Sequence, residues 1–129
     1  ADSQAIKVVI RIRPPRTGQV EQWQYDSESI TSDGSQSTNS GSPPNYNFDF
    51  IASPANTTEQ VYERVGLRTV RECMRGLNGC IFAYGQTASG KTHTMIGTES
   101  NPGVTRQAVR DVFSHIASAP DRVFLIRVR

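Results

Sequence analysis

Eight consecutive residues, Gly85-Gln86-Thr87-Ala88-Ser89-Gly90-Lys91-Thr92, set two glycines five positions apart and follow the second with a lysine and a threonine. Each residue type has a task in gripping a phosphate chain. Glycines carry no Cβ, so the backbone can bend into a concave loop and approach an anion closely. The loop amides then point inward as a nest. A helix starting near Lys91 would add about half a positive charge, with N–H groups that no helix satisfies internally facing the same anion. Lys91 supplies a movable point charge for β- and γ-phosphates, and the Thr92 hydroxyl can join the shell of a phosphate-bound Mg²⁺. The pattern is G-x-x-x-x-G-K-[ST], the phosphate-binding P-loop, and it gains weight when a strand leads in and a helix leads out. The bland reading is a glycine-rich turn between those two elements. The chain has only two lysines, Lys7 and Lys91, which mildly favours the first reading.

The elements that must position this loop are legible on both sides. Cys80-Ile81-Phe82-Ala83-Tyr84 is a short, almost wholly apolar run bounded by glycines, the pattern of a central parallel strand. Before it, Asn56-Thr57-Thr58-Glu59 signals a helix start. Val61/Tyr62, Val65, Val70, Cys73/Met74 and Leu77 then recur near the helical period, with Glu59, Glu63, Arg64, Arg68, Arg71 and Arg75 on other faces. That predicts an amphipathic helix of about five turns, ended by Gly76 and Asn78-Gly79. The helix makes a crossover from an earlier strand at Tyr46-Asn47-Phe48-Asp49-Phe50. After the P-loop helix, residues 96–104 read as a loop, and Thr105 to Ala117 as a helix with Val109, Val112, Phe113 and Ile116 on one face. Val123 to Arg129 reads as a further strand. At the other end, Ile6 to Arg13 is β-branched and reads as a strand stopped by Pro14-Pro15.

Residues 26–45 differ in character, with seven serines, the pair Pro43-Pro44 and Ile30 as sole aliphatic residue. Such a stretch buries too little to offset its chain entropy. It is expected to be a flexible surface loop with a short hairpin strand near Ile30, and the alternative of an interdomain linker is weak with 25 residues before it. A net charge of +2 does not call for a nucleic-acid or membrane partner. No apolar run approaches the roughly 20 residues of a membrane helix, and the first residues lack the apolar stretch of a secretory signal. Cys73 and Cys80 form no CxxC and have no histidine pair nearby, which argues against a zinc site or a disulfide scaffold. The expectation is a soluble intracellular protein.

Taken singly, other candidates have plain readings. Cys80 is expected to be a small core residue, and His115 a surface residue. His93, one position past the P-loop, is either structural or near a bound base. Arg11 and Arg13 read as a solvated strand end, while Trp23 and Tyr25 are either loop anchors or contact residues. Downstream of Thr92 the acidic residues are Glu99, Asp111 and Asp121. None ends an apolar strand, where a P-loop enzyme holds the acidic residue of its Mg²⁺ shell.

The stretch Ile81 to Met95, with Tyr84 before the first glycine and His93-Thr94-Met95 after the threonine, resembles the P-loop segment of kinesin motor domains. Arg11-Ile12-Arg13-Pro14 is similar to that family's R-x-R-P element. Phe48-Asp49-Phe50 with Thr58-Glu59-Gln60-Val61-Tyr62 resembles its strand and helix before the P-loop, and Gly103 to Val109 its later helix start. The segment around the first helix resembles centromere-associated kinesins. The resemblance covers nearly all of the chain except residues 15–45.

It implies an α/β P-loop NTPase fold of kinesin type, three-layer α/β/α with a partial central sheet, residues 1–129 forming the N-terminal part of a motor domain. It also implies ATP and Mg²⁺ as ligands, with Gly85, Gln86, Thr87, Ala88, Ser89, Gly90, Lys91 and Thr92 on the phosphates and Thr92 on the metal. Arg11, Arg13, Pro14 and His93 would border the base. Leu77 stands where many members carry an aromatic residue against the adenine, so the base would be held less tightly or differently. The implied partner is the microtubule (tubulin), the implied place the cytoplasmic cytoskeleton, and the implied activity ATP hydrolysis coupled to movement. The family's N-x-x-S-S-R-S-H and D-L-A-G-S-E elements are absent from these 129 residues, so no complete catalytic set is expected and the chain should not hydrolyse ATP by itself. The alternatives are a non-catalytic nucleotide-binding or interaction module and, less favoured, another P-loop enzyme such as a small-molecule kinase.

Overall fold

In the computed structural model, residues 6–18, 23–32 and 44–127 are described. They divide into two compact units, residues 1–57 and 58–129.

The first unit is built from five short strands. β1 (Val9–Arg11) pairs in parallel with β5 (Phe50–Ala52), Ile10 opposite Ile51. The β-branched run is therefore shorter as a strand than the expected Ile6 to Arg13, although Ile12 N–H still reaches Ala52 O at 2.8 Å. Between them in sequence, β2 (Trp23–Tyr25), β3 (Ser29–Ser32) and β4 (Asn45–Asn47) form an antiparallel sheet in the order β2-β3-β4. Tyr25, Ile30 and Tyr46 lie directly opposite one another across it, a row of the aromatic and β-branched pairs that stabilise sheets.

Two expectations change here. The strand near Ile30 is present, and ordered pairing reaches Asn45, so the serine-rich stretch is not a loop throughout; its residues 33–43 lie outside those described. The single strand expected over residues 46–50 is two strands in two sheets. Phe48 N–H bonds Glu28 O at 2.7 Å and Asp49 N–H bonds Val8 O at 3.1 Å, so the chain changes sheets at this pair.

The second unit is helical in its ordered elements. α1 (Thr58–Val65) and α2 (Leu67–Met74) occupy the span of the single expected helix. The single expected helix is therefore two, separated at Gly66, which keeps one bond to each side, Gly66 N–H to Tyr62 O at 2.7 Å and Val70 N–H to Gly66 O at 2.9 Å. Gly66 is required there because a Cβ would enter the Tyr62 ring. The far end closes as expected at Gly76, in the left-handed region at φ 94°. Leu77 N–H bonds Glu72 O and Gly76 N–H bonds Cys73 O, the paired bonds of a Schellman cap.

α3 (Lys91–Met95) is a single short turn, and α4 (Val104–Ala117) packs against α1, α2 and α3. The core is Tyr62, Val70 and Val104, with Leu67, Ile81, Met95, Ala108 and Val112 packed on it. On α4 the inward face is thus Val104, Gln107, Ala108 and Val112, whereas Val109 and Phe113, expected inside, are exposed. Among the described residues no helix is long and apolar enough to cross a membrane.

Cys80 to Tyr84 and Val123 to Arg127 do not form ladders among the described residues, contrary to the two expected strands; Val128 and Arg129 lie outside the described range. Their composition favours strands, but a strand exists only where a neighbour accepts its backbone bonds. Cys80 is correspondingly exposed rather than buried. His115 is exposed as expected, and its ring also meets the edge of Phe124 at 6.3 Å, which holds the start of the last segment against α4.

Candidate phosphate-binding site

The loop Gly85–Thr92 is suspended between two anchors in one apolar cluster. Ile81 lies four residues before its first glycine and Met95 three after its threonine, and both pack on Tyr62, Val70 and Val104. Sequence reasoning placed Ile81 and Met95 in elements but missed this shared anchoring. The signal available was their apolar character at positions facing the helices. Ile81 and Ala83 are half-buried, while Phe82 is 76% and Tyr84 95% exposed, so the segment alternates as an extended chain does.

Within the loop the backbone makes the turns that the glycines permit. Gly90, the residue before α3, has φ 105° and ψ 15°, a left-handed conformation. Ala88 adopts φ 60° without being glycine, at a cost of about 1–2 kcal/mol, a strain of the kind found at ligand clamps. Ser89 N–H closes a turn onto Gln86 O at 3.2 Å. A Cβ on Gly85 would lie 2.6 Å from Ser89 Oγ, so the loop closes on itself too tightly for a side chain there.

Lys91 completes the arrangement. Its Nζ donates to Gly85 O and Gln86 O, both at 2.8 Å, tying the lysine to the start of the loop. An ammonium has three N–H donors, so one remains for an anion. Thr94 N–H bonds Gly90 O at 2.9 Å and starts the helical ladder, while Ile96 and Gly97 N–H both turn back to Thr92 O. The Thr92 and His93 side chains are exposed. A phosphate chain fits this donor set: a left-handed turn, an ammonium tied to the start of the loop, and space beside Gly90 that, among the described residues, no atom outside its chain neighbours fills within 4 Å of where a Cβ would stand. Among the described residues no group of three or more His, Cys, Asp or Glu could hold a metal. The exposed Thr92 hydroxyl would be open to a Mg²⁺ carried on phosphate oxygens, as in sites that keep phosphate ligands.

The structure brings Gly85 through His93 together. Arg11, Arg13 and Pro14 belong to the other unit and are described there. Arg11 is half-buried at the end of β1, where burial lowers its guanidinium pKa below the ordinary value, and Arg13 and Pro14 are exposed.

Asp111 does not serve the loop. Its Oδ2 accepts the Tyr62 hydroxyl at 2.8 Å, joining α1 to α4. Burial, then the bond to Asp111, raise the Tyr62 pKa far above the ordinary phenol value. Gln107 was also missed by sequence reasoning, for a polar residue gives no core signal. It is 2% exposed, donates from Nε2 to Pro102 O at 2.9 Å, and so pins the 96–103 loop to α4.

These features make Gly85–Thr92 a candidate phosphate loop, and comparison with known proteins gives the family of the chain. The kinesin motor domain family matches residues 11–129. The chain is similar to human Centromere-associated protein E, 40% identical over 99% of this chain and 5% of that protein. It is likewise similar to Kinesin-like protein KIN-7G of Oryza sativa subsp. japonica, 39% identical over 99% of this chain and 14% of that one. Kinesin-like protein KIN-7C, mitochondrial, of Arabidopsis thaliana is 42% identical over 95% of this chain and 14% of its own length. The chain belongs to the kinesin motor domain family, a family of microtubule motors with the P-loop NTPase fold. It spans between 5% and 14% of the length of these relatives.

Proposed function

We propose that this chain is the ATP-binding part of a microtubule-based motor. The carrying observation is the loop itself, with left-handed turns at Ala88 and Gly90 and the Lys91 ammonium bound to the carbonyls of Gly85 and Gln86, in a chain of kinesin family. Gly85, Gln86, Thr87, Ala88, Ser89, Gly90 and Lys91 hold the phosphates, and Thr92 joins the Mg²⁺ shell. Arg11, Arg13, Pro14 and His93 flank the base. In the complete domain, Cys80–Tyr84 and Val123–Arg127 take places in a central sheet between two helix layers, and ATP hydrolysis is coupled to movement along microtubules of the cytoskeleton.

These residues bind nucleotide without turning it over, since none of Glu99, Asp111 and Asp121 ends an apolar strand in the sequence and the family's water-orienting and acidic elements are not among the 129 residues. Asp111 supports this reading because its carboxylate is engaged by Tyr62. The test is titration of a fluorescent ATP analogue with Mg²⁺ against the intact chain. Saturable binding is expected, and Lys91→Ala should weaken it about 10- to 100-fold, the worth of a charge-assisted contact. Equal binding by wild type and Lys91→Ala would remove the phosphate assignment. Steady-state turnover that Lys91→Ala abolishes would overturn the claim that these residues only bind.

A further inference from the structure

The face of α1 and α2 turned away from the core carries a charge pattern that the nucleotide site does not use. Successive residues of a helix advance by about 100° and 1.5 Å. On α2, Arg68, Arg71 and Arg75 therefore fall within an arc of about 60° and extend over about 10 Å, away from Val70, whose side chain is buried. Gly66 interrupts the helix between α1 and α2, so Arg64, on α1, stands apart from this row. All four are exposed.

Arg71 and Arg75 are like charges at i and i+4, a spacing that opposes helix formation. A face selected only for solvation would alternate signs. Glu72 reaches Arg68 at 3.9 Å, the outer limit of an ion pair, and among the described residues no carboxylate pairs with Arg71 or Arg75. Residues 58–129 hold ten basic and six acidic side chains, so the surplus charge of the chain resides in this unit. Beside the row lies a cleft of about 320 Å³ lined by Glu63, Leu67, Arg68, Arg71, Glu72 and Arg75. It offers one apolar side chain, three cations and two carboxylates.

We propose that this face docks an acidic polypeptide helix. A helix laid alongside presents carboxylates at i, i+3 and i+7 with the pitch of the Arg68, Arg71 and Arg75 row, and it can place an apolar side chain on Leu67. Planar guanidinium groups suit carboxylates through paired N–H donors. Glu63 and Glu72 select against a uniformly anionic polymer, because nucleic acid or an anionic lipid surface would meet two like charges in the cleft. A polypeptide can answer those two with cations or leave them to water. The inference does not depend on the nucleotide reading.

The test is fluorescence anisotropy at low ionic strength, where exposed charge pairing is least screened. The intact chain is titrated against a labelled helical peptide carrying glutamates at that spacing and one leucine. Saturable binding is expected, weakened at least about tenfold by Arg71→Glu with Arg75→Glu and less by Arg71→Gln with Arg75→Gln. The charge-reversed variant should instead take up the same peptide with lysines in place of glutamates. Far-UV circular dichroism checks each variant, and if the reversed one loses helix, the glutamine pair decides. Absence of saturable binding, or binding unchanged in the glutamine pair, overturns the proposal. So does displacement of the peptide by single-stranded RNA or phosphatidylserine vesicles at lower concentration than by unlabelled peptide.

Discussion

Replacing Tyr62 by Phe removes one oxygen from the centre of the helical unit and nothing else. The Tyr62 hydroxyl donates to Asp111 Oδ2 at 2.8 Å across 49 residues of sequence, and the ring is buried between α1, α2 and α4. A hydrogen bond to a charged acceptor contributes about 1.5–3 kcal/mol. Asp111 is only half-buried and recovers water when the phenol is gone, so the lower end applies, about 1.5 kcal/mol. For a chain of this size that lowers Tm by about 6 °C. Asp111→Asn should cost less because its amide oxygen still accepts, and Asp111→Ala should cost at least as much as Tyr62→Phe because it strands a buried hydroxyl. The double-mutant cycle of Tyr62→Phe with Asp111→Ala should show coupling of about 1 kcal/mol or more.

The pH dependence supplies a second readout. The folded state raises the Tyr62 pKa, so the contribution is complete below the unfolded tyrosine value of about 10. It is lost as pH climbs from there toward the folded value. The stability gap between wild type and Tyr62→Phe should be flat from neutral pH to about 9 and shrink above about 10. Urea melts at several pH values measure both. A Tyr62→Phe protein as stable as wild type at neutral pH, with no coupling to Asp111→Ala, would refute the role assigned to this bond.

Two further perturbations test local geometry. Gly66→Ala directs a methyl into the Tyr62 ring and should destabilise by about 1–3 kcal/mol, the range for overpacking, whereas an ordinary helical glycine would gain stability from the same change; thermal melts distinguish the two signs. Asp26 Oδ1 accepts from Glu28 N–H at 2.8 Å and Ser29 N–H at 2.7 Å in the turn between β2 and β3, and these backbone bonds lower its pKa. The turn should therefore be intact above the ordinary carboxylate pKa and loosen as pH falls through the lowered one. Amide chemical shifts of Glu28 and Ser29 should titrate at that lower pH in wild type and not in Asp26→Asn.

What the sequence disclosed depended on whether the cause was local. The P-loop spacing, the cap at Gly76 and the extent of α4 are set by residues that act within a few positions, and each stands close to where periodicity and turn chemistry put it. The division of residues 46–50 did not show, because Tyr46, Phe48 and Phe50 alternate as one strand would. Only the distant partners Glu28 and Val8 divide it. The inward face of α4 was misjudged for a related reason. Counting apolar side chains selected Val109 and Phe113, whereas packing selected the Val104, Ala108 and Val112 row and drew Gln107 in with it. Gln107 pays for its burial with an acceptor, Oε1, that has no partner among the described residues.

The same contrast explains how the loop is held. A P-loop after a laddered strand inherits its entry position from backbone bonds to neighbouring strands, and Cys80 to Tyr84 has no such ladder among the described residues. Side-chain packing sets the position instead. Gly79 approaches α2 so closely that a Cβ would stand 2.8 Å from Cys73 Sγ, and Ile81 follows into the apolar cluster. On the exit side, Met95 enters the same cluster, and a Cβ on Gly103 would strike the backbone of Met95 and Ile96. Both ends of the loop therefore rest on α2 and α4 through close approaches that only glycine permits. A change in the packing of Tyr62 or Val104 acts on both ends together, so the core of the helical unit is a positioning element of the phosphate site although none of its residues belongs to the loop.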